Sequence, residues 1–289
     1  MEKPLFTGVC TALVTPFLNG RINYPMVNIL LQRQIDAGIS AVVIAGTTGE
    51  SATLTDDEIA ELIRYCKAFA GSKMLIIAGS GSNSTAHAIE KSVAAENAGA
   101  DALLIVSPYY NKATPDGLVS HYAAIAKAVT CPIILYNVPS RTGQDIPLTV
   151  YQRLAAIPNI VGVKEAINDP AKIMKIKAYC PARFQVWAGN DEMTVPFMSI
   201  GAAGVISVIS NLFPEETAYM ADAALDGDFD TASALQIKLL PWTEFLSCEV
   251  NPIPVKAAMT ALGLDCGTGR SPLTELNAAH QRQLKLLIQ

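Results

Sequence analysis

Eight short apolar segments recur along the chain roughly every 30 residues, and stretches with helical periodicity separate them. The segments are VCTALV, AVVIAG, MLIIAG, ALLIVS, PIILYN, IVGVKE, FQVWAG and GVISVI. Each is apolar at nearly every position, which is typical of a strand that is covered on both faces. Strand–helix alternation repeated eight times predicts an α/β protein, a parallel (β/α)8 TIM barrel.

The ends of the predicted helices carry recognisable signals. Thr55 and Glu58 fit a capping box, and Asp169 followed by Pro170 fits an N-cap with proline at the first helical position. Gly38 and Gly99 stand where helices are expected to stop. An open doubly wound sheet is the alternative fold, and it is disfavoured because no G-x-G-x-x-G follows the first strand.

The chain after the eighth strand is predicted to be helical. We expect a catalytic barrel over residues 1–225, which includes the barrel's last helix, and a C-terminal helical region over residues 226–289. No low-complexity segment or long linker separates the two parts.

Composition excludes several classes of protein. The net charge of the 289 residues is -5, and no basic run suggests a nucleic-acid partner. No apolar run approaches the ~20 residues of a membrane span, and the amino terminus lacks a secretory signal. The six scattered cysteines and three histidines fit neither a disulfide framework nor a metal site. A reduced, cytoplasmic protein without a metal is therefore expected.

Polar residues cluster where the predicted strands end, which is where barrels of this kind place their active sites. The segments at these ends are GTTGE after the second strand, SPYYN after the fourth, YNVPSR around the end of the fifth, KE at the end of the sixth and GND after the seventh. The eighth strand carries Ile206.

Lys164 continues the apolar run of the sixth strand without a break. A barrel interior of low dielectric disfavours the charged form of a lysine, and a neutral amine can form a Schiff base with a ketone or aldehyde. Tyr136 offers a hydroxyl for the proton transfers that imine formation needs, with help from Thr47. Arg141 offers a planar fork for a substrate carboxylate.

Each of these residues also has a purely structural interpretation. Lys164 alone reads more often as a snorkelling lysine or as the partner of Glu165. Tyr136 alone reads as a core tyrosine, and Arg141 alone reads as a surface arginine. The catalytic interpretation depends on their conjunction at one end of the barrel. The AGSGSN stretch lacks the lysine and spacing of a phosphate-binding loop.

Six motifs carry a resemblance to a known family: GTTGESATL, SPYYNK, YNVPSRTG, VGVKEA, AGND and NPIPVKAAM. They span nearly the whole chain, and together they resemble the pyruvate-dependent class I aldolase family. Within that family the chain is similar to the branch that condenses pyruvate with aspartate semialdehyde in lysine and diaminopimelate biosynthesis, without a cofactor.

The resemblance implies a role for each motif residue. Lys164 is then the Schiff-base lysine, Tyr136 the proton shuttle, and Thr47 the link to Tyr110, which the resemblance implies comes from a neighbouring subunit. The pyruvate pocket is implied to contain Thr48, Gly189 and Ile206, and Arg141 is implied to hold the semialdehyde carboxylate. A homotetramer built from two tight dimers is also implied.

Three other interpretations of the chain stay open at this stage. N-acetylneuraminate lyases and sugar-acid aldolases share the lysine and the tyrosine, but Arg141 and the TTGE sequence favour the semialdehyde branch. A catalytically inactive barrel that binds small molecules is disfavoured by the intact lysine, tyrosine and threonine set. A purely structural Lys164 predicts near-normal activity for Lys164→Ala.

The resemblance also implies a candidate allosteric site for lysine. Ser51, Ala52, Asn83 and Tyr109 match positions of that site in related enzymes, where the effector binds at the dimer interface. His87, however, stands where lysine-sensitive members carry a glutamate, and Asp56 and Ile59 replace histidines found in some of them. Loss of an anionic partner weakens binding of a cation. Weak or absent inhibition by lysine is therefore predicted.

Overall fold

The eight apolar segments form eight parallel strands that close into a barrel, so the predicted fold is confirmed. The structure, a computed structural model, describes residues 4–289. The barrel strands are β1 (Gly8–Ala12), β4 (Ala41–Ile44), β5 (Leu75–Gly79), β6 (Ala102–Val106), β7 (Ile133–Asn137), β8 (Ile160–Glu165), β9 (Gln185–Ala188) and β10 (Gly204–Ser207). Successive barrel strands pair in parallel, with one register shift between Ile133 and Ile134 where β7 pairs with β8. β1 closes the barrel against both β4 and β10.

Helices connect the strands and cover the outside of the barrel. They are α1 (Tyr24–Asp36), α2 (Asp56–Ala70), α3 (Thr85–Asn97), α4 (Pro115–Ala128), α5 (Pro139–Thr142), α6 (Leu148–Leu154), α7 (Pro170–Tyr179), α8 (Thr194–Met198) and α9 (Pro214–Leu225). The predicted capping box is present, since Thr55 and Glu58 exchange side-chain and backbone hydrogen bonds at the start of α2. Asp169 caps α7 in the predicted way.

Two hydrophobic layers follow from the alternation of side chains along each strand. One layer fills the space between the strands and the surrounding helices. The other lies inside the barrel, where Trp187 stacks on Phe6 with 4.9 Å between ring centroids and donates a hydrogen bond to its carbonyl oxygen. Phe6 precedes the first strand, so this aromatic pair fills the barrel toward the amino-terminal ends of the strands. The opposite end stays available for a cavity.

A short hairpin lies outside the eight predicted strands. It pairs β2 (Phe17–Leu18) with β3 (Arg21–Ile22) through the two-residue turn Asn19-Gly20. Both turn residues have positive φ angles, 51° and 75°, which asparagine and glycine tolerate best.

The chain after α9 is helical, as predicted, and packs on the barrel. Its helices are α10 (Phe229–Leu246), α11 (Ile253–Ala261) and α12 (Ala278–Ile288). The outer hydrophobic layer of the barrel continues into these helices through Leu239, Phe245 and Met259. The division at residue 225 falls at the end of α9 and stays a prediction. Within residues 4–289, no helix is both long and apolar enough to cross a membrane.

Candidate active site

A cavity of about 540 Å³ opens at the carboxyl ends of the strands, within the size range of small-molecule sites. Most of the residues predicted from the sequence line it: Thr47, Thr48, Tyr136, Arg141, Lys164 and Gly189. Ile206 lies in the inner hydrophobic layer, fully buried, on the strand whose end borders the cavity. The structure therefore brings these residues to one end of the barrel, as their strand-end positions predicted.

Lys164 and Tyr136 lie opposite each other on neighbouring strands and point into the barrel; we call this pair the rung. They are register partners on β8 and β7, and Lys164 Nζ lies 4.5 Å from the centre of the Tyr136 ring. Only 5% of Lys164 is exposed, and its ammonium has no hydrogen-bond or ion-pair partner within residues 4–289. The side chain does not snorkel to bulk solvent. It presents an amine to the cavity next to a phenol.

Glu165 is not the partner of Lys164, so that structural interpretation is wrong. Successive residues of a strand point to opposite faces, and Glu165 faces away from the barrel interior. Its carboxylate accepts hydrogen bonds from Tyr151 and Asn137 and lies 3.3 Å from Lys172 Nζ.

Asp191 is a buried carboxylate that lines the same cavity, and no role was predicted for it from the sequence. Its Oδ2 accepts hydrogen bonds from the backbone N–H groups of Val208 and Ile209, at 2.9 and 3.0 Å. Burial raises the pKa of Asp191, while hydrogen bonds from the β10 end and the charge of Lys164 oppose that rise. In its ionised form, Asp191 favours positive charge on the Lys164 nitrogen, such as an iminium would carry there.

Thr47 and Thr48 lie on a tight loop after β4 that is held from several sides. Glu50, with φ of 59°, ends the loop and pairs with the buried ammonium of Lys256 at 2.7 Å. Gly79 allows the next strand to approach, because a Cβ there would lie 2.1 Å from the Ala45 carbonyl oxygen. The loop is therefore fixed against both the barrel and the C-terminal region.

The C-terminal region supplies one wall of the cavity, which the sequence analysis did not predict. Asn251, between α10 and α11, donates a hydrogen bond to Thr48 Oγ1 at 2.9 Å. Its carbonyl oxygen accepts one from Arg141 Nη2 at 3.4 Å. Arg141 lies on the short helix α5 at the exposed rim of the cavity. The threonine that is predicted to bind pyruvate and the arginine that is predicted to bind a carboxylate are thus connected through Asn251.

Tyr110 is the one predicted catalytic residue that stays outside the cavity of the single chain. It is 93% exposed and has a φ of 71° on the loop after β6. Its neighbour Tyr109 is 40% exposed. A residue held in this unfavourable conformation with its ring in solvent suits a contact outside its own chain.

A second cavity of about 480 Å³ adjoins the first. Four of the five candidate effector residues line it, namely Ser51, Ala52, His87 and Tyr109, while Asn83 donates a hydrogen bond to the Tyr109 carbonyl oxygen at 3.3 Å. His87 Nε2 lies 2.8 Å from Asp56 Oδ2. Five residues line both cavities and so form the wall between them: Thr47, Val138, Arg141, Val250 and Asn251.

Comparison with known proteins agrees with this geometry. A sequence profile of the dihydrodipicolinate synthetase family matches residues 5–289. The chain belongs to this family. A 4-hydroxy-tetrahydrodipicolinate synthase from Exiguobacterium sp. is 46% identical over 281 residues, which cover 97% of this chain and 96% of the relative.

Solved structures of dihydrodipicolinate synthases superpose closely on the chain. A chloride-inhibited enzyme from Acinetobacter baumannii, complexed with pyruvate, has a TM-score of 0.95 at 41% identity and covers 98% of each chain. An enzyme from Cyanidioschyzon merolae with lysine bound has a TM-score of 0.95 at 39% identity, covering 99% of this chain and 98% of that one.

Proposed function

We propose that the chain is a lyase of the class I aldolase type that catalyses the 4-hydroxy-tetrahydrodipicolinate synthase reaction. It condenses pyruvate with L-aspartate 4-semialdehyde in lysine and diaminopimelate biosynthesis. The observation that carries the proposal is the amine of Lys164, which has no hydrogen-bond or ion-pair partner among residues 4–289 and is buried beside Tyr136 in a cavity with Arg141 at its rim. Family membership over nearly the full length of the chain supports the same reaction.

The first half of the reaction uses Lys164 as the nucleophile. Its neutral amine adds to the keto carbon of pyruvate to form a carbinolamine. Tyr136 moves protons so that the carbinolamine oxygen leaves as water and an iminium remains. Thr47 connects Tyr136 to the Tyr110 of a neighbouring subunit in this relay. We assign Thr48, Gly189 and Ile206 to the pyruvate pocket.

The second half forms the new carbon–carbon bond. The iminium withdraws electrons, so the methyl carbon of pyruvate loses a proton and the enamine forms. That carbon attacks the aldehyde carbon of the semialdehyde, and the aldehyde oxygen takes up a proton to become a hydroxyl. The acceptor's amino group then attacks the iminium carbon, closes the ring and releases Lys164. Arg141 binds the acceptor's carboxylate with its planar fork.

The proposal is tested by two measurements on the purified protein. Pyruvate consumption is measured with L-aspartate 4-semialdehyde and, in parallel, with N-acetylmannosamine. Pyruvate and borohydride are then used to trap the imine, and the adduct is located by mass spectrometry. Turnover with the semialdehyde and an adduct at Lys164 are expected. Turnover with the amino sugar alone would assign the chain to the lyases, and the absence of an adduct would make it a binding protein.

A matched control uses Lys164→Arg. Arginine has a similar length but cannot form the imine, because its guanidinium stays protonated. We expect no adduct and no turnover from this variant. Near-normal turnover would mean that Lys164 is structural.

We further propose that the chain acts in the cytoplasm as a homotetramer, a dimer of dimers. All six cysteines are free thiols, which fits a reducing compartment. The exposed rings of Tyr109 and Tyr110 support a subunit contact at the loop after β6.

The second cavity is proposed as an effector site that binds lysine weakly. His87 stands where the resemblance places a glutamate in lysine-sensitive members. The nearby Asp56 is already paired with His87. The cavity therefore offers a lysine ammonium fewer free anionic groups than a glutamate at position 87 would provide.

A further inference from the structure

The rung that carries Lys164 and Tyr136 has a second pair of residues behind it. Strands β7 and β8 pair Tyr136 with Lys164 and, one residue later, Asn137 with Glu165. Because side chains alternate along a strand, the first pair faces the cavity and the second faces the outer helices. Asn137 and Glu165 are both fully buried there.

The outer pair is joined by a direct hydrogen bond. Asn137 Nδ2 donates to Glu165 Oε2 at 2.8 Å, which connects the two strands through side chains as well as backbone. The same NH₂ group donates to Asp145 Oδ1 at 2.6 Å, and Asn137 Oδ1 accepts from the backbone N–H of Ile146 at 3.1 Å. The amide of Asn137 is therefore fixed in orientation on both sides.

Two helices hold the other oxygen of Glu165. Tyr151 of α6 donates its hydroxyl to Oε1, and Lys172 of α7 brings its ammonium to 3.3 Å from the same atom. Lys172 also pairs with Asp145 at 2.5 Å. One carboxylate thus connects β7, β8, α6 and α7 immediately behind the reactive rung.

A buried carboxylate at this place is costly. Burial raises the pKa of Glu165, and Lys172, Tyr151 and Asn137 oppose the rise. Replacing such a group by well-packed apolar side chains is often neutral or stabilising, so stability alone does not account for a charge in the barrel wall. Fixed geometry is the other benefit of a fully satisfied polar network, and the group it would fix here is the catalytic rung.

We propose that Glu165 is a positioning residue, which holds the ends of β7 and β8 so that Lys164 and Tyr136 keep the spacing that imine formation needs. Glu165 does not touch substrate. This inference rests on the proposed function, since it assigns the purpose of the network to the Schiff-base step.

The variant that tests the inference is Glu165→Gln. Glutamine has the same size, and its carbonyl oxygen can still accept from Tyr151. Its NH₂ group then faces the NH₂ of Asn137, so the cross-strand hydrogen bond is lost. We expect the single-turnover rate of imine formation with pyruvate, measured by borohydride trapping, to fall by ~10 to 100-fold, because small misplacements of reacting groups cost rates of this order. The kcat/KM for the semialdehyde should stay within about twofold, since Arg141 is untouched and this ratio depends only on the steps after the imine has formed.

Glu96→Gln is the matched control for this substitution. Glu96 Oε1 accepts from Thr130 N, Thr130 Oγ1 and Cys131 N, and these residues precede β7 at the opposite end of the barrel. Glu96→Gln therefore makes the same carboxylate-to-amide change at the start of β7, far from Lys164 and Tyr136. Imine formation should proceed at the wild-type rate.

Asn137→Ala removes the cross-strand hydrogen bond from the β7 side, together with the Asn137 hydrogen bonds to Asp145 and Ile146, and leaves the Glu165 carboxylate in place. It should slow imine formation at least as much as Glu165→Gln does. The double variant should be no slower than Asn137→Ala alone, because the substitution at residue 137 already removes the cross-strand hydrogen bond that Glu165→Gln removes. This second variant keeps the test valid if Glu165→Gln fails to fold. Thermal unfolding of each variant separates a lost rate from a lost fold.

Three outcomes distinguish whether Glu165 positions Lys164 and Tyr136. Slow imine formation in both variants, with strong coupling and an unaffected control, supports the inference. Wild-type rates in a folded Glu165→Gln or Asn137→Ala variant, or purely additive effects, overturn it while leaving the proposed function intact. Failure of the wild-type protein to trap pyruvate would overturn the proposed function and this inference with it.

Discussion

Among residues 4–289, two lysines are almost fully buried, and they differ in what surrounds the ammonium group. Lys256 pairs with Glu50 at 2.7 Å and lies over the ring of Phe17, so the cost of its burial is offset. Lys164 has the ring of Tyr136 beside it but no hydrogen-bonded anion. The contrast supports the proposal that Lys164 is the nucleophile, because its amine lines the cavity and is not held by a carboxylate.

Arg141 gives the first prediction at this scale. Replacing it by methionine keeps much of the side-chain length but removes the fork that we assign to the semialdehyde carboxylate. The KM for L-aspartate 4-semialdehyde should rise by about 10- to 100-fold, since hydrogen bonds to charged groups contribute ~1.5–3 kcal/mol. Imine formation with pyruvate alone should be unchanged. Steady-state kinetics with the semialdehyde as the varied substrate measure the effect.

Arg141→Lys is the control for the geometry of that contact. Lysine keeps the charge but not the bidentate fork, so an intermediate KM is expected. An unchanged KM in Arg141→Met would remove Arg141 from the acceptor site.

Residue-level prediction from the sequence succeeded where strand position alone decides the outcome. Lys164 and Tyr136 lie at the ends of strands, and period-two alternation puts both inside the barrel. It failed where contacts join distant segments. Asn251 reaches Thr48 across about 200 residues of chain, and Asp191 binds backbone groups beyond β10. The local sequence pattern does not predict contacts between such distant segments. Asp191 lies two residues after Gly189 in the AGND motif, but only the glycine was assigned a role from the sequence.

At the scale of elements, the loop before α12 holds the start of α2 against the barrel. Arg270 donates to both carboxylate oxygens of Glu58, at 2.6 and 2.7 Å, and to the carbonyl oxygens of Thr53 and Gly20. The loop that carries Thr47 and Thr48 leads directly into this helix. The eight strands and most helices were predictable from periodicity, but this connection was not, because it depends on how the C-terminal loop folds back.

The Arg270–Glu58 pair predicts a pH dependence of stability. Its hydrogen bonds hold the pKa of Glu58 below the usual value of 4.5. A group whose pKa is lowered by folding contributes stability above its unfolded pKa and loses it as the pH falls through the folded value. Glu58→Gln should therefore lower the Tm by about 2 °C at pH 7, a modest amount because the pair is partly exposed, and by less below pH ~4.

The glutamine variant isolates the ion pair, because glutamine still completes the capping box with Thr55. Thermal unfolding of the wild type and the variant between pH 3 and pH 7 measures the difference. Glu275→Gln, at an exposed carboxylate without an ion pair within residues 4–289, should leave the Tm unchanged. A Tm difference that is the same at both ends of the pH range would contradict the assignment.

At the scale of the whole molecule, the two cavities share a wall, so a ligand in the second cavity could change the activity of the first. His87 in place of a carboxylate predicts that L-lysine at ~1 mM leaves the rate nearly unchanged, which corresponds to binding weaker than about −4 kcal/mol. His87→Glu adds an anion and frees Asp56 from its partner. Sensitivity to lysine should then increase by about tenfold in a steady-state assay. Inhibition of the wild type in the low micromolar range would show that other groups bind the effector.

The exposed Tyr110 leads to a prediction about assembly, namely that subunits must associate to complete each active site. If its hydroxyl completes the active site of a neighbouring subunit, Tyr110→Phe should have low activity although its own cavity is intact. Lys164→Arg should be inactive for a different reason, because it lacks the amine that forms the imine. A hybrid dimer of the two contains one site with an intact lysine and an intact partner tyrosine. Mixing the two purified variants under conditions of subunit exchange should restore about a quarter of the wild-type activity, because about half the dimers are hybrids and each has one complete site.

The same mixture distinguishes the two possible placements of Tyr110. If Tyr110 acted within its own chain, every hybrid site would carry one defect and the mixture would be no more active than Tyr110→Phe alone. Sedimentation of the mixture establishes that subunits have associated, and crosslinking of differently tagged variants establishes that they have exchanged. The recovered activity should fall on dilution in step with dissociation, since a separated chain leaves the Tyr110 ring in solvent, where it is 93% exposed, away from the cavity that holds Lys164.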